Sequence, residues 1–360
     1  MIPPAWREIQ ALRAEPTGLA VRDADRKKYF RAALRQAEEL AQAADVVSYA
    51  VKPILLFYAV SQAGRALAAA RSPHPWVSRS HGLECRSGGM NVLAATVAPV
   101  SGAQTAFQAI TAAAGSPALA GKAQIGALWA ANPDLVDVPI RAELGLGQWP
   151  AALSYGLGAR DVGGIGPAAI DPGAMQTVTG GRVQTTLNVP GDTGEQIARA
   201  LEAYPSLAGA AAFTPSGDRY VGLTEPVERI RAADGQQGVR IGRDAPGTIP
   251  MAGYWELENS LYSIVEVDPR FPPRSPSFIG YAIPAIAGGE SPLPVLLWWA
   301  LLLGLSSLAR YEPAAWITAI DLDASPLAVD LQAVLDIAAE QAPARILDSL
   351  KAAQEPNRAR

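Results

Sequence analysis

The sequence predicts an α+β protein: a helical bundle formed by the N- and C-terminal segments, with a β-rich region inserted between them. Two observations carry this expectation. Helical patterning fills the start of the chain and returns after Pro294, while residues 140–290 are rich in Gly and Pro and hold short alternating runs. Two segments, one near each end, are apolar nearly all round and so need partners on every side. Packing them against each other buries both at once. The expected division is therefore residues 1–80 with 291–355 for the bundle, and 81–290 for the insert.

In chain order, Asp23 or Asp25 is placed to cap a helix through "RKKYFRAALRQAEELAQAA", where Tyr29, Ala33, Leu34 and Leu40 form an apolar stripe. A second helix starts at Pro53, runs through "ILLFYAVSQAGRALAAAR" and stops before Pro73, with Lys52 and Arg65 as its charged interruptions. "HGLECRSGGMNVLAATVAPV" reads as two short strands around Gly88-Gly89. "TAFQAITAAAG" and "KAQIGALWAANP" read as Ala-rich helices. In the middle region "RVQTTLNV" alternates, "YVGL", "GVRIG" and "YSIVEVD" are further strand candidates, and "TGEQIARALEAY" is a capped helix. Ser325-Pro326 starts a last helix through "LAVDLQAVLDIAAEQ", and Asp321–Asp323 reads as loop and helix entry.

Composition narrows the function. Apolar residues make up 49% and charged residues 18%, which excludes an intrinsically disordered chain. A net charge of -4 argues against nucleic-acid binding through bulk electrostatics. Cys85 is the only cysteine, so neither an intrachain disulfide nor a cysteine metal cluster can form, as suits a reducing cytosol. The N-terminus shows no apolar h-region of a secretory signal. The uncharged run Ser291–Ala309 is 19 residues long, close to the ~20 needed to span a bilayer. Pro292, Pro294, Gly304, Ser306 and Ser307 interrupt its ends, and Trp298 and Trp299 lie inside it, away from an interfacial belt. With no second span elsewhere in the sequence, a buried core helix and a cytoplasmic location are expected.

The stretches "VKPILLFYAVSQAGRAL", "SHGL", "PLPVLLWWALLLGLSSLARYEPAAW" and "SPLAVDLQAVLD" together resemble the YaaC-like family of bacterial proteins. That resemblance implies no particular reaction. "FYAVSQAGRALAAA" with the following "SHGL" is also similar to HEPN domains, all-helical bundles found in many RNases and in defence or toxin systems. The nuclease signature of those domains is an Arg followed a few residues later by a His. Neither His74 nor His81 stands at that spacing from an upstream Arg, and Trp316 follows Arg310 where a His could have stood.

Other motifs fail on their own geometry. "GSPALAGK", Gly115–Lys122, is one residue too long between its glycines for a phosphate loop, and Ala123 replaces the Ser or Thr that would hold magnesium. "GLGARDVGG" lacks dinucleotide-binding spacing and reads as a turn. There is no G-x-S-x-G elbow, and two His with one Cys give no zinc pattern. His81 and Cys85 could share one side of an extended segment, but no third group orients them as a dyad. No cofactor or metal is predicted.

"SSLARYEP" is more informative, because Arg310 and Glu312 directly follow the most apolar run. Pro313 ends the helix there. Arg310 then either satisfies the last helix carbonyls or reaches a ligand or acid. The expected cleft joins His81, Arg310 and Glu312, with Tyr58 and Tyr311 as walls. The expected function is a non-catalytic, HEPN-like binding or interaction protein, whose partner is unknown, with a protein or RNA as the open classes. The alternatives are a divergent nuclease or hydrolase using His81 and Arg310, and a membrane-associated protein anchored through 291–309.

Overall fold

The computed structural model describes residues 4–138 apart from 74, 75, 79, 102–104, 136 and 137, and residues 284–351 apart from 290 and 291; between them it describes only backbone strand segments. Two compact units result, Met1–Gln148 with Ile286–Arg360, and Trp149–Ala285. The second unit holds strand segments such as Thr179–Asn188 and Tyr220–Arg231. The helix expected in "TGEQIARALEAY" lies outside the described residues.

The first unit is mostly helical with a small three-stranded antiparallel sheet. Helices α1 (Pro4–Ala14), α2 (Ala24–Ala44) and α3 (Lys52–Arg71) come first. Strands β1 (Leu83–Arg86) and β2 (Thr96–Pro99) follow, then α4 (Ala106–Ala114), β3 (Ala123–Gln124) and α5 (Ile125–Ala130). The chain returns with α6 (Pro294–Tyr311), α7 (Pro313–Ile320) and α8 (Ala328–Lys351). In the sheet, β2 is central: Leu83 pairs with Pro99, and Val97 with Ala123.

Local chemistry explains most boundaries. Asp23, not Asp25, caps α2, its carboxylate accepting from the backbone N–H groups of Asp25 and Arg26. A capping box of Thr105 and Gln108 starts α4, and Gly115 ends it in the left-handed conformation at φ 67°. "KAQIGALWAANP" is not wholly helical: Ala123 and Gln124 join the sheet before α5 begins. The last helix outruns its expected end, continuing through Pro343 to Lys351. Glu312 takes φ -128°, ψ 52°, as the proline after it requires, and separates α6 from α7.

The core is organised around α6. Trp298, Trp299, Leu301, Leu302 and Leu305 are buried. Phe57 on α3 meets Trp299 edge-on, with centroids 5.8 Å apart. The expected α3–α6 contact is present, but through Trp299; Trp298 turns away and donates its indole N–H to Asp134 Oδ2 at 2.8 Å. The two helices run antiparallel. As α3 advances from Tyr58 to Gly64, its neighbour on α6 moves back from Arg310 to Trp299. Lys52–Arg71 is itself long and apolar enough to cross a membrane, so the reading of a single such run is corrected. In both helices most of the apolar window, 72% for α3 and 78% for α6, is buried inside the protein.

Two close contacts report on this packing. A Cβ on Gly64 would lie 2.6 Å from Ile110 Cδ1 and 2.8 Å from the Trp299 ring. Gly64→Val is therefore expected to destabilise the protein by about 1–3 kcal/mol, the usual cost of overpacking, measured by urea unfolding. Asp134 has a fully buried carboxylate held by Arg345 Nε at 2.9 Å and by Trp298. Asp134→Ala leaves that guanidinium short of its main acid, with Asp348 still beside it. A loss of about 3 kcal/mol is expected, the low end for breaking a buried pair, read from the same unfolding curves.

Candidate functional site

The first turns of α3 and the last turn of α6 meet, and the segment leading into β1 folds back over them. Along α3 the half-buried residues Tyr58, Gln62 and Arg65 stand at i, i+4 and i+7, so they form one stripe on a stretch, 56–70, that is otherwise buried. From α6 come Ser307, Arg310 and Tyr311.

His81 is fixed by its backbone. The carbonyls of Ser80 and His81 accept the N–H groups of Ala106 and Phe107 at 3.0 Å, closing the start of α4. Gly82 then turns the chain into β1 at φ 86°, where a Cβ would come within 2.2 Å of Thr105 Oγ1. This places the imidazole edge-on against Phe57 at 5.0 Å and against Tyr58 at 5.8 Å. Its Nδ1 is buried and has no hydrogen-bond partner among the described residues.

Arg310 takes the carbonyl-satisfying role read from the sequence. Its Nε donates to the Ser306 carbonyl at 3.1 Å, satisfying the end of α6. Its Nη1 points to the Tyr58 hydroxyl at 3.4 Å, and the guanidinium lies 4.9 Å from the Tyr311 ring centroid and 5.9 Å from that of Tyr58. Four of the five expected residues, Tyr58, His81, Arg310 and Tyr311, are thus brought together by direct contacts. Glu312 is not joined to them: among the described residues no ion pair links it to Arg310, and its backbone serves instead to close α6 and open α7.

Arg65, read in the sequence only as an interruption, stands on the same stripe of α3 as Tyr58. Its Nη1 donates to the Ser78 carbonyl at 2.8 Å and approaches the Tyr29 hydroxyl at 3.5 Å, while its Nε is buried without a protein partner. The heptad step from Tyr58 was the available signal. Neither Arg65 nor Arg310 has a carboxylate within ion-pair distance among the described residues, whereas Arg13 pairs with Glu38 and Arg345 with Asp134.

The electrostatics follow. Burial holds the His81 imidazole below its ordinary pKa of 6.5, and the Arg65 and Arg310 charges push it the same way, so it is neutral at pH 7. Burial also raises the Cys85 thiol, against smaller opposing effects of Ser307 and Arg310. Cys85 Sγ faces the Gly304 carbonyl at 3.9 Å. A protonated thiol turned to α6 does not make a dyad with His81. Among the described residues no group of three His, Cys, Asp or Glu side chains could hold a metal ion. The cluster can accept an anion, donate hydrogen bonds and exchange one proton at His81.

His81 gives a pH signature. A histidine whose pKa is depressed on folding binds its proton more readily in the unfolded chain, so stability falls as pH drops through the unfolded value of 6.5 toward the lower folded one. Lowering the pH from about 7.5 to about 5 is expected to reduce the wild-type melting temperature more than that of His81→Gln. Differential scanning calorimetry of the two proteins checks this.

A model of the family described as YaaC-like Protein matches residues 10–138 and 254–350. Those segments carry Tyr58, Arg65, His81 and Arg310, and the gap between them falls in the middle region. No curated protein and no solved structure matches the chain. The matched residues make up more than half of the sequence, and the chain belongs to the YaaC-like protein family.

Proposed function

We propose that this protein is a non-catalytic binding protein of HEPN-like helical build, with its ligand seat at Tyr58, His81, Arg65 and Arg310. The observation that carries this reading is Arg310. Its guanidinium is held by a backbone carbonyl and two aromatic rings and meets no acid among the described residues. A half-buried guanidinium without a counter-charge is a recognition group for an anionic partner. The same reading takes the β-rich middle of the chain, expected over residues 81–290, as an insert in the helical bundle and the location as cytoplasmic. The burial of most of α3 and α6 supports it over membrane anchoring.

The competing reading, a nuclease or hydrolase with His81 as base, draws on the neutral imidazole and its unpartnered Nδ1. One pair of experiments separates them. A thermal-shift screen against a mixed set of anionic and neutral metabolites is expected to give at least one stabilising compound whose effect is lost in Arg310→Gln. Mixed RNA incubated with the protein, with and without divalent metal, is expected to remain intact. Cleavage abolished by His81→Ala overturns the non-catalytic assignment, and a screen without any Arg310-dependent compound overturns the binding seat.

A further inference from the structure

We infer that the seat takes a phosphoryl dianion, held by the Arg65 and Arg310 guanidiniums with His81 as a third, proton-dependent donor. The inference rests on the binding reading above and specifies its ligand class. Three features of the cluster support it.

The first is charge. Most guanidiniums with described contacts in this unit have evident compensation. Arg13, Arg35, Arg86 and Arg345 face carboxylates, and Arg26 donates to the Ala69, Ser72 and Pro73 carbonyls at the end of α3. Arg65 and Arg310 have no described acid; Arg310 reaches Tyr58, which meets the His81 ring, and Arg65 stands on the Tyr58 stripe of α3 and donates to Ser78, three residues before His81. Two positive charges without an acid match a dianion, where a single carboxylate would leave one of them uncompensated.

The second is unused donor capacity. Among the described residues four buried side-chain nitrogens lack a hydrogen-bond partner, and two of them, Arg65 Nε and His81 Nδ1, lie at this seat. Arg310 Nη2 makes no protein hydrogen bond among the described residues. A phosphoryl group presents three acceptor oxygens, enough for one from each side chain, and planar guanidinium forks suit that geometry.

The third is proton balance. His81 is faced by Tyr58 and Arg65 from α3 and by Arg310 from α6; Cys85 on β1 also feels Arg310. Burial and both cations oppose protonation of the imidazole. A bound dianion reverses that field, so His81 takes one proton from solvent and becomes a charged donor to a phosphoryl oxygen. Binding is then linked to uptake of that proton and strengthens as pH falls toward the phosphate's own second pKa of about 6.

The chain has only two histidines, so His74→Gln leaves His81 as a single imidazole reporter. The test is NMR titration of His81 in this full-length protein with inorganic phosphate, with acetate at matched ionic strength as control. The expected result is a saturable phosphate response with a rise of about one unit or more in the His81 pKa. Acetate should leave it unchanged. Arg310→Gln and Arg65→Gln should each weaken phosphate binding about tenfold or more, as loss of a charge-assisted hydrogen bond does, with folding checked by circular dichroism. If Arg65→Gln fails to fold because its Ser78 contact is lost, Arg310→Gln, at an exposed helix end, still decides. An equal response to acetate, no saturable response to phosphate, or binding unaffected by Arg310→Gln overturns the phosphoryl assignment. An Arg310-dependent compound of another class in the metabolite screen would leave the binding reading standing while this one fails.

Discussion

Helix α6 has no polar face, and that constraint organises the described helical unit. A helix whose apolar residues surround its axis must be covered on every side. The chain supplies α3, α5, α7, α8 and the small sheet to do so. Close approach requires small residues at the crossings: Gly64 admits the Trp299 ring, and Gly304 lies against Ile125 and Val97. The helix also buries two indole N–H groups, and burial without an acceptor is costly: that of Trp299 has no partner among the described residues, while that of Trp298 finds one. Asp134 accepts it, and its buried carboxylate in turn requires Arg345. A run of apolar residues thus leads, through one donor, to a buried ion pair that ties α8 to the loop after α5.

The same constraint decides where polar chemistry can appear. Side chains of α6 reach solvent only near its end, at Ser307, Ala309, Arg310 and Tyr311. Antiparallel packing sets that end beside Tyr58, near the start of α3. The residues after α3 then have to travel back along it for His81 to arrive there. Arg26 fastens the start of this return by donating to the carbonyls of Ala69 and Ser72, and its guanidinium lies 5.0 Å from the Trp76 ring centroid. The α4 N-terminus fastens the end of it. "SHGL" is therefore a positioning motif: two carbonyls for α4, a glycine for the turn, and an imidazole aimed at the stripe of α3.

Sequence patterning made the two apolar helices, their mutual contact and most of the cluster legible, because apolarity and helix punctuation act locally. The details it missed depend on distant partners. Trp298 and Trp299 are adjacent and chemically alike; which one meets Phe57 depends on Asp134, far away in the chain. Glu312 stands next to Arg310 in sequence, yet the break enforced by Pro313 gives its backbone a capping role and no ion pair with Arg310. Ala123-Gln124 resembles the start of a helix until β2 offers an edge to pair with. Arg65 was the more recoverable miss, since its spacing from Tyr58 and Gln62 is helical. A single charge in an apolar helix marks the face that is not core.

The character of His81 favours recognition over catalysis as the reading of this cluster. A general base works best with a pKa near the working pH and with its second nitrogen held by an orienting acceptor. Burial and the charges of Arg65 and Arg310 oppose protonation of His81 and so weaken it as a base. The neighbouring thiol is kept protonated, so no activated nucleophile accompanies it. What weakens a base also suits an anion site: Arg65 and Arg310 lack a described counter-charge, and negative charge brought near the imidazole would favour its protonation. In the proposed phosphoryl reading a bound dianion offsets the charges of Arg65 and Arg310 and favours protonation of His81, which couples ligand affinity to pH through a single histidine.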